Sequence, residues 1–311
     1  MSENMNPGRG GHLQRKCSSS SSFYRSERPG GVITLLTDFG LADAYVGVMK
    51  GVIAGINREA SVIDLCHEVA PQNVHQAAFL LASSYVYFPG GAIHLAVVDP
   101  TVGGKRRAIC VAAGDFFFVG PDNGILSIAC SRAGIKEIRS LDNEAYFLKD
   151  RSKTFHGRDI FAPVAAHLSR GVPLAELGRK LRSMKHVTLP EPAIEPRRGI
   201  RGRIVYRDRF GNLISNIDRG SVAAAFAGID EGRLVIRVGE ACIKGLGESY
   251  SAVAPGLAVA FFGSYNFLEV GIRDGNAAEI LKAGEGAEVR VEATGDSREE
   301  RIGKRGSHGR S

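Results

Sequence analysis

The chain has five cysteines in 311 residues, Cys17, Cys66, Cys110, Cys130 and Cys242, and no CxxC pair among them. An odd number at wide spacing argues against a disulfide framework or a zinc site, and for free thiols in a reducing compartment. No apolar run approaches the roughly 20 residues that span a bilayer, so no membrane partner is expected. The start, MSENMNPGRGGHLQRKCSSSSS, lacks the apolar core of a secretory signal. A cytoplasmic protein is therefore expected. GxGxxG is absent, which removes support for a dinucleotide site, and there is no GxSxG nucleophile elbow. Gly103-Gly104-Lys105-Arg106 imitates the end of a P-loop, but Asp99 stands where that motif begins and Arg follows Lys105. Asp38-Phe39-Gly40 and His156-Gly157-Arg158-Asp159 echo kinase motifs in reversed order, without the Gly-rich loop.

The formal charge is +7, yet the body has no basic stripe. Residues 1–30 carry +3 and residues 295–311 carry +2, leaving +2 between them. The basic character belongs mostly to two polar tails, and a nucleic-acid partner is not favoured.

What is present is ordinary globular composition, 44% hydrophobic and 23% charged, enough for a core that needs no metal or disulfide staple. Residues 1–30 and 295–311 lack apolar periodicity and are expected to be disordered. Residues 31–188 alternate strand and helix patterns. Val32–Leu36, Val62–Cys66, Ile93–Val98 and Ala108–Ala113 are compact apolar runs suited to strands. A hairpin turn at Gly114-Asp115 leads into Phe116–Val119. Tyr45, Met49, Val52, Ile53 and Ile56 fall on one helical face, with Asp43 placed to cap it. Val74–Phe88 and Arg158–Leu168 read as further helices. This is an α/β domain with a largely parallel sheet. Residues 189–199 contain three prolines within seven residues and form a linker. Residues 200–294 hold short strand candidates separated by turns: Ile200–Tyr206, Leu213–Ile217, Leu234–Val238, Ala258–Phe262, Phe267–Ile272 and Ala287–Val291. They predict a smaller all-β domain, a barrel or sandwich.

Four polar clusters sit at strand ends or turns, where open α/β sheets bind ligands. They are Thr37-Asp38-Phe39-Gly40; Asp99 to Arg106; Thr154-Phe155-His156-Gly157-Arg158-Asp159; and Asp208-Arg209-Phe210-Gly211-Asn212. Singly, each is explained as a cap or turn. Asp64, His67 and Glu68 match no standard metal spacing and read as a polar strand end. Asp122-Asn123-Gly124 reads most simply as a turn.

Together, LLTDFGLADAYVGVMKG, VVDPTVGGKRRAI, GPDNG, TFHGRDIFAP and DRFGNLISNI resemble the S-adenosyl-L-methionine (SAM) hydrolase family. Its members are also called SAM hydroxide adenosyltransferases and are relatives of the fluorinase and chlorinase. The resemblance covers about residues 31–294. It implies two domains, a homotrimer with sites between subunits, and the conversion of SAM and water to adenosine and L-methionine. SAM is then the substrate, and no metal or redox cofactor is implied. Motif position places the family's catalytic triad on Asp99, Arg106 and His156. Asp38 would hold the ribose hydroxyls and Asn212 the adenine edge. Asp208 would take the methionine ammonium and Ser264 its carboxylate. The halogenases have Arg where this chain has Tyr265, so what neutralises that carboxylate stays open. The fluorinase has Tyr in place of Asp99 and Tyr-Ser in place of His156-Gly157. An anionic Asp99 would repel halide, which favours water as nucleophile. A halogenase, a non-catalytic SAM- or adenosine-binding module, and a metal-dependent phosphoesterase built on Asp38, Asp64, His67 and Asp99 remain the alternatives.

Overall fold

The computed structural model describes residues 29–195 and 199–294. Cys17 and nearly all of the tails expected to be disordered lie outside the described residues.

In the N-terminal domain, β1 (Val32–Thr37) is followed by α1 (Tyr45–Ile56), β2 (Ser61–Cys66), α2 (Val74–Ser84) and β3 (Ile93–Val97). The hairpin β4 (Ala108–Ala113) and β5 (Phe116–Pro121) comes next, then α3 (Ser127–Ala133), β6 (Ile135–Ser140), α4 (Ala162–Ser169) and β7 (Lys180–Leu181). The sheet order is β2-β1-β3-β5-β4-β6-β7. β2, β1, β3 and β5 are parallel, whereas β4, β6 and β7 extend the sheet antiparallel. The central strands are unbroken apolar runs because both faces are covered. Every residue of β3 is buried. One face packs on α1 and α4 through Ile33, Leu35, Met49 and Ile53. The other packs on α2 and α3 through Leu36, Leu81, Ala96 and Ala129.

The C-terminal domain begins with a short edge strand, β8 (Ala193–Glu195), inside the segment read as linker. It is exposed and pairs only with β9 (Gly199–Arg207), an edge position that proline-rich sequence tolerates. Then come β10 (Leu213–Asp218), α5 (Arg219–Ala225), β11 (Leu234–Val238), β12 (Ala241–Lys244), β13 (Ala258–Phe262), β14 (Phe267–Ile272), α6 (Ala277–Ile280) and β15 (Glu288–Ala293). All pairings are antiparallel in the order β12-β11-β15-β9-β10-β14-β13. The ends of this sheet curl toward each other: the Gly247 N–H donates to the Ala260 carbonyl. The result is a nearly closed, barrel-like domain around Ile204, Leu213, Ile236 and Leu268. Helix α2 joins the two domains: the Phe79 ring lies 5.5 Å from Tyr265 and 5.6 Å from Tyr206.

Local expectations differ in instructive places. α1 is capped at Ala44 without a side-chain bond, so Asp43 does not cap it, and Tyr45 points outward, 49% exposed. β2 is an edge strand, so its apolar run is only partly buried. The helix expected over Arg158–Leu168 begins as a π-turn, Gly157–Phe161, before α4.

His94 fixes β3, the strand that leads to Asp99. Its Nδ1 lies 2.9 Å from Thr34 Oγ1, and its ring stacks on Phe118 at 5.1 Å. Burial pulls its pKa down to about 3. The unfolded chain therefore binds a proton here that the folded chain refuses, and stability falls as pH drops from about 6.5 toward 3. The expected slope is about 1.4 kcal/mol per pH unit in that window. Urea denaturation of the wild type and His94→Phe at pH 7, 5 and 4 checks it: the variant should lose less stability on acidification, and parallel losses would contradict this origin.

Candidate active site

Asp99 stands just beyond β3, Arg106 precedes β4, and His156 enters the π-turn ahead of α4. Their separation in sequence disappears in the fold. Arg106 Nε and Nη2 both donate to Asp99 Oδ2, at 2.8 and 2.5 Å. The same Nη2 lies 2.6 Å from His156 Nδ1. Asp99 and Arg106 side chains are each only 5% exposed. A guanidinium has no acceptor, so His156 Nδ1 must accept. That leaves the ring proton on Nε2 and makes the ring neutral. Burial holds the His156 pKa below its ordinary value, and the Arg106 charge adds to this against the opposing Asp99 and Asp159. Asp99 Oδ1 has only a long contact with Thr101 Oγ1, 3.3 Å.

The π-turn is held by Asp159, which is fully buried. Its carboxylate accepts the Ser152 N–H at 2.7 Å and Arg158 Nε at 2.6 Å. A Cβ at Gly157 would sit tightly against the Met49 and Phe155 side chains, so the turn beside His156 is closely packed.

Asp38 follows β1. Its Oδ2 accepts the Gln72 N–H at 2.9 Å, with Gln72 in the left-handed region at φ 65°. Behind it, Thr37 Oγ1 lies 2.8 Å from His67 Nδ1 and accepts the Phe39 N–H. Asp64 pairs with Lys50 at 2.6 Å and stands 3.0 Å from His67 Nε2, out of line for a hydrogen bond. Burial works to raise the Asp64 pKa, but Lys50 and His67 outweigh it and the net direction is down. This group braces the strand end. A divalent cation there would face the Lys50 ammonium. Among the described residues there is no group of three or more His, Cys, Asp or Glu that could hold a metal.

Asp38, Asp99 and His156 line one cavity of about 400 Å³ with Phe39, Tyr45 and Phe155. The three rings meet edge-on or tilted, with centroids 5.1–5.9 Å apart. Asp208, Asn212 and Ser264 line another cavity, of about 880 Å³, in the C-terminal domain. No residue lines both. The structure thus brings the expected site residues together in two groups. Asp122 lines neither: it pairs with Arg107 and accepts the Lys185 N–H.

In the second cavity Asp208 organises its own turn. Oδ1 accepts the Phe210 and Asn212 backbone N–H groups, and Oδ2 accepts Asn212 Nδ2 at 2.8 Å. The other Nδ2 proton goes to Tyr250 Oη at 2.8 Å. Both amide protons of Asn212 are committed, which leaves its Oδ1 as acceptor rather than the donor-and-acceptor edge expected. Tyr250 in turn donates to Glu269 Oε1 at 2.6 Å. Tyr250 and Glu269 were not anticipated. The readable signal was an acid in the otherwise apolar strand FLEVGI.

The SAM hydroxide adenosyltransferase N-terminal domain model matches residues 33–178, and the C-terminal domain model matches residues 202–290. A protein of Salinispora tropica named (R)-S-adenosyl-L-methionine hydrolase is 38% identical over 84% of this chain and 97% of its own length. A crystal structure of a conserved uncharacterized protein from Thermotoga maritima superposes with a TM-score of 0.79 at 38% identity, covering 84% of this chain and 99% of that one. The fluorinase of Actinopolyspora mzabensis is more distant, 26% identical over 63% of this chain and 75% of its own. These matches over most of its length, together with the two-domain fold, establish that the chain belongs to the SAM hydroxide adenosyltransferase family.

Proposed function

We propose that the protein hydrolyses SAM to adenosine and L-methionine, and that Asp99, Arg106 and His156 hold the attacking water. The observation that carries the mechanism is the double engagement of Arg106 Nη2 by Asp99 and His156. It fixes proton positions. Water seated between them donates to Asp99 Oδ1 and accepts from His156 Nε2–H, with a lone pair left for carbon. The oxygen attacks C5′ of the ribose in line with sulfur. The new O–C5′ bond forms as the C5′–S bond breaks, and the bonding pair goes to sulfur. Methionine leaves as a neutral thioether and needs no acid. The water proton passes to Asp99. Orientation and exclusion of bulk water are the site's main contributions. Asp38, whose Oδ1 bonds no described residue and whose Oδ2 keeps a lone pair, holds the ribose hydroxyls beside this water. Asp208, Asn212 and Ser264 take the rest of the ligand. No step uses a metal or redox cofactor. Water is favoured over halide because Asp99 is an anion at the attacking position, and because the hydrolase named above is a closer relative than the fluorinase.

The same reading takes residues 31–188 and 200–294 as the domains, joined by 189–199. It makes the protein a cytoplasmic homotrimer. No helix among the described residues is long and apolar enough to cross a membrane. The division of the site residues between two cavities supports a site completed by a second copy. Exposed Leu41 and Tyr45 near one cavity, and Phe210 at the other, are the apolar surface such a contact would cover.

Chromatography of products from SAM, with EDTA or chloride added, tests the reaction. Adenosine and methionine in equal amounts under all conditions are expected. Intact SAM would favour a binding module, 5′-chloro-5′-deoxyadenosine a halogenase, and loss in EDTA a metal enzyme. Asp99→Asn should lower kcat by about a hundredfold or more with SAM affinity by calorimetry nearly unchanged; the reverse pattern would remove Asp99 from the reaction. His156 must be neutral, so kcat should hold as pH falls through 6.5 and drop only below it. A kcat that instead rose on acidification would contradict the assigned tautomer. Finally, Asp99→Asn and Asn212→Ala chains, each weakened in a different cavity, should recover activity when refolded together, with about one site in four intact by random assembly. No recovery in mixed oligomers would place each site within one chain.

A further inference from the structure

Hydrogen-bond direction in the C-terminal cavity can be traced from end to end. Asn212 gives one proton to Asp208 and the other to Tyr250, and Tyr250 gives its own to Glu269 Oε1. Every donor in this chain is committed inward. What is left for a ligand is a set of acceptors: Asn212 Oδ1, one lone pair of Asp208, and Glu269 Oε2, which bonds no described residue. Glu269 is 6% exposed, and a buried carboxylate without a cation is costly. Its place is defined by a missing side chain, since a Cβ on Gly263 would collide with Oε2. It therefore stands against the Gly263-Ser264 turn and lines the same cavity as Ser264, the residue read above as holding the carboxylate of the amino-acid part.

We propose that Glu269 is a specificity-determining residue whose Oε2 accepts a hydrogen bond from the α-ammonium of SAM, with Tyr250 holding the carboxylate in place. Asp208 has most of its lone pairs occupied by its own turn, so Glu269 Oε2 supplies the further acceptors that the three N–H groups of an ammonium need. The inference rests on the SAM reading and adds to it the feature of the ligand that is selected: a primary amine at the amino-acid end.

The groups facing Glu269 sharpen the test. Burial raises its pKa, the Tyr250 hydrogen bond works against this, and the nearby Asp208 charge raises it further. Tyr265 faces it too and stays neutral, its own pKa raised by burial and by Asp208 and Glu269. As pH falls through the Glu269 titration, the carboxylate is neutralised and the ammonium loses its partner. SAM affinity should weaken in that range.

The experiment compares wild type and Glu269→Gln, which keeps shape and the Tyr250 bond, in binding and hydrolysis of SAM and of its analogue with hydrogen in place of the α-ammonium. Adenosine affinity serves as the control for an intact cavity. Expected is a roughly tenfold to hundredfold weaker KM and Kd for SAM in the variant. The analogue and adenosine should be unaffected, and the acid-side loss of SAM affinity should be absent. Equal effects on SAM and the analogue, or a loss of adenosine affinity, would make Glu269 structural or a reader of the base and overturn the proposal. No effect at all would overturn it while leaving the SAM reading intact. A wild type that neither binds nor cleaves SAM would remove both, and is told apart by that wild-type result alone.

Discussion

One guanidinium nitrogen holds the catalytic half together. Arg106 Nη2 donates to Asp99 and to His156 at once. Because Arg cannot accept or lose a proton, this single nitrogen sets the tautomer of His156 and ties it to Asp99. In the proposed reaction the leaving group is already a sulfonium, so the nucleophile needs orientation more than deprotonating power. The same pairing makes the residues interdependent. Removing either member of a buried pair strands the other at a cost of about 3–5 kcal/mol, so truncation of Arg106 disturbs the fold around the site as well as the chemistry.

The supports behind these groups come from separate elements. β1 delivers Asp38 and is braced by Thr37 on His67. β3 delivers Asp99 and is locked by the neutral His94 in its aromatic box. A π-turn held by buried Asp159 delivers His156. π-turns of this kind frequently occur at functional positions. In the C-terminal domain the same economy of protons recurs in a different form: a directed chain from Asn212 through Tyr250 ends on Glu269. One cavity holds Asp99 and His156, between which the proposed mechanism seats the water, and the other presents the acceptors that it assigns to the cationic substrate.

Much of this was legible in the sequence where one physical signal dominates. Short, mostly apolar runs bounded by turn or charged residues marked β4, β11, β13 and β14 to the residue, because a strand packed on a core must place apolar residues on its buried face. The polar clusters at strand ends marked Asp38, Asp99, His156, Asp208 and Asn212. Properties that depend on distant neighbours were not legible. Edge position, not composition, decides that β2 is half exposed and that β8 can form in a proline-rich segment. Tyr45 satisfies helical periodicity, yet it turns outward to line a cavity with Phe39 and Phe155. Which protons Asn212 has left depends on Tyr250, 38 residues away. Sequence patterns find candidate groups, whereas hydrogen-bond direction, which needs coordinates, decides what each can still offer.

The measurement that bears most directly on the water held by Asp99 and His156 is the mass of the adenosine formed from SAM in oxygen-18 water. Hydrolysis by attack at C5′ predicts one heavy oxygen in each new adenosine and none in methionine. Adenosine without the label, or label in methionine instead, would contradict water attack at C5′ and with it the role assigned to Asp99, Arg106 and His156.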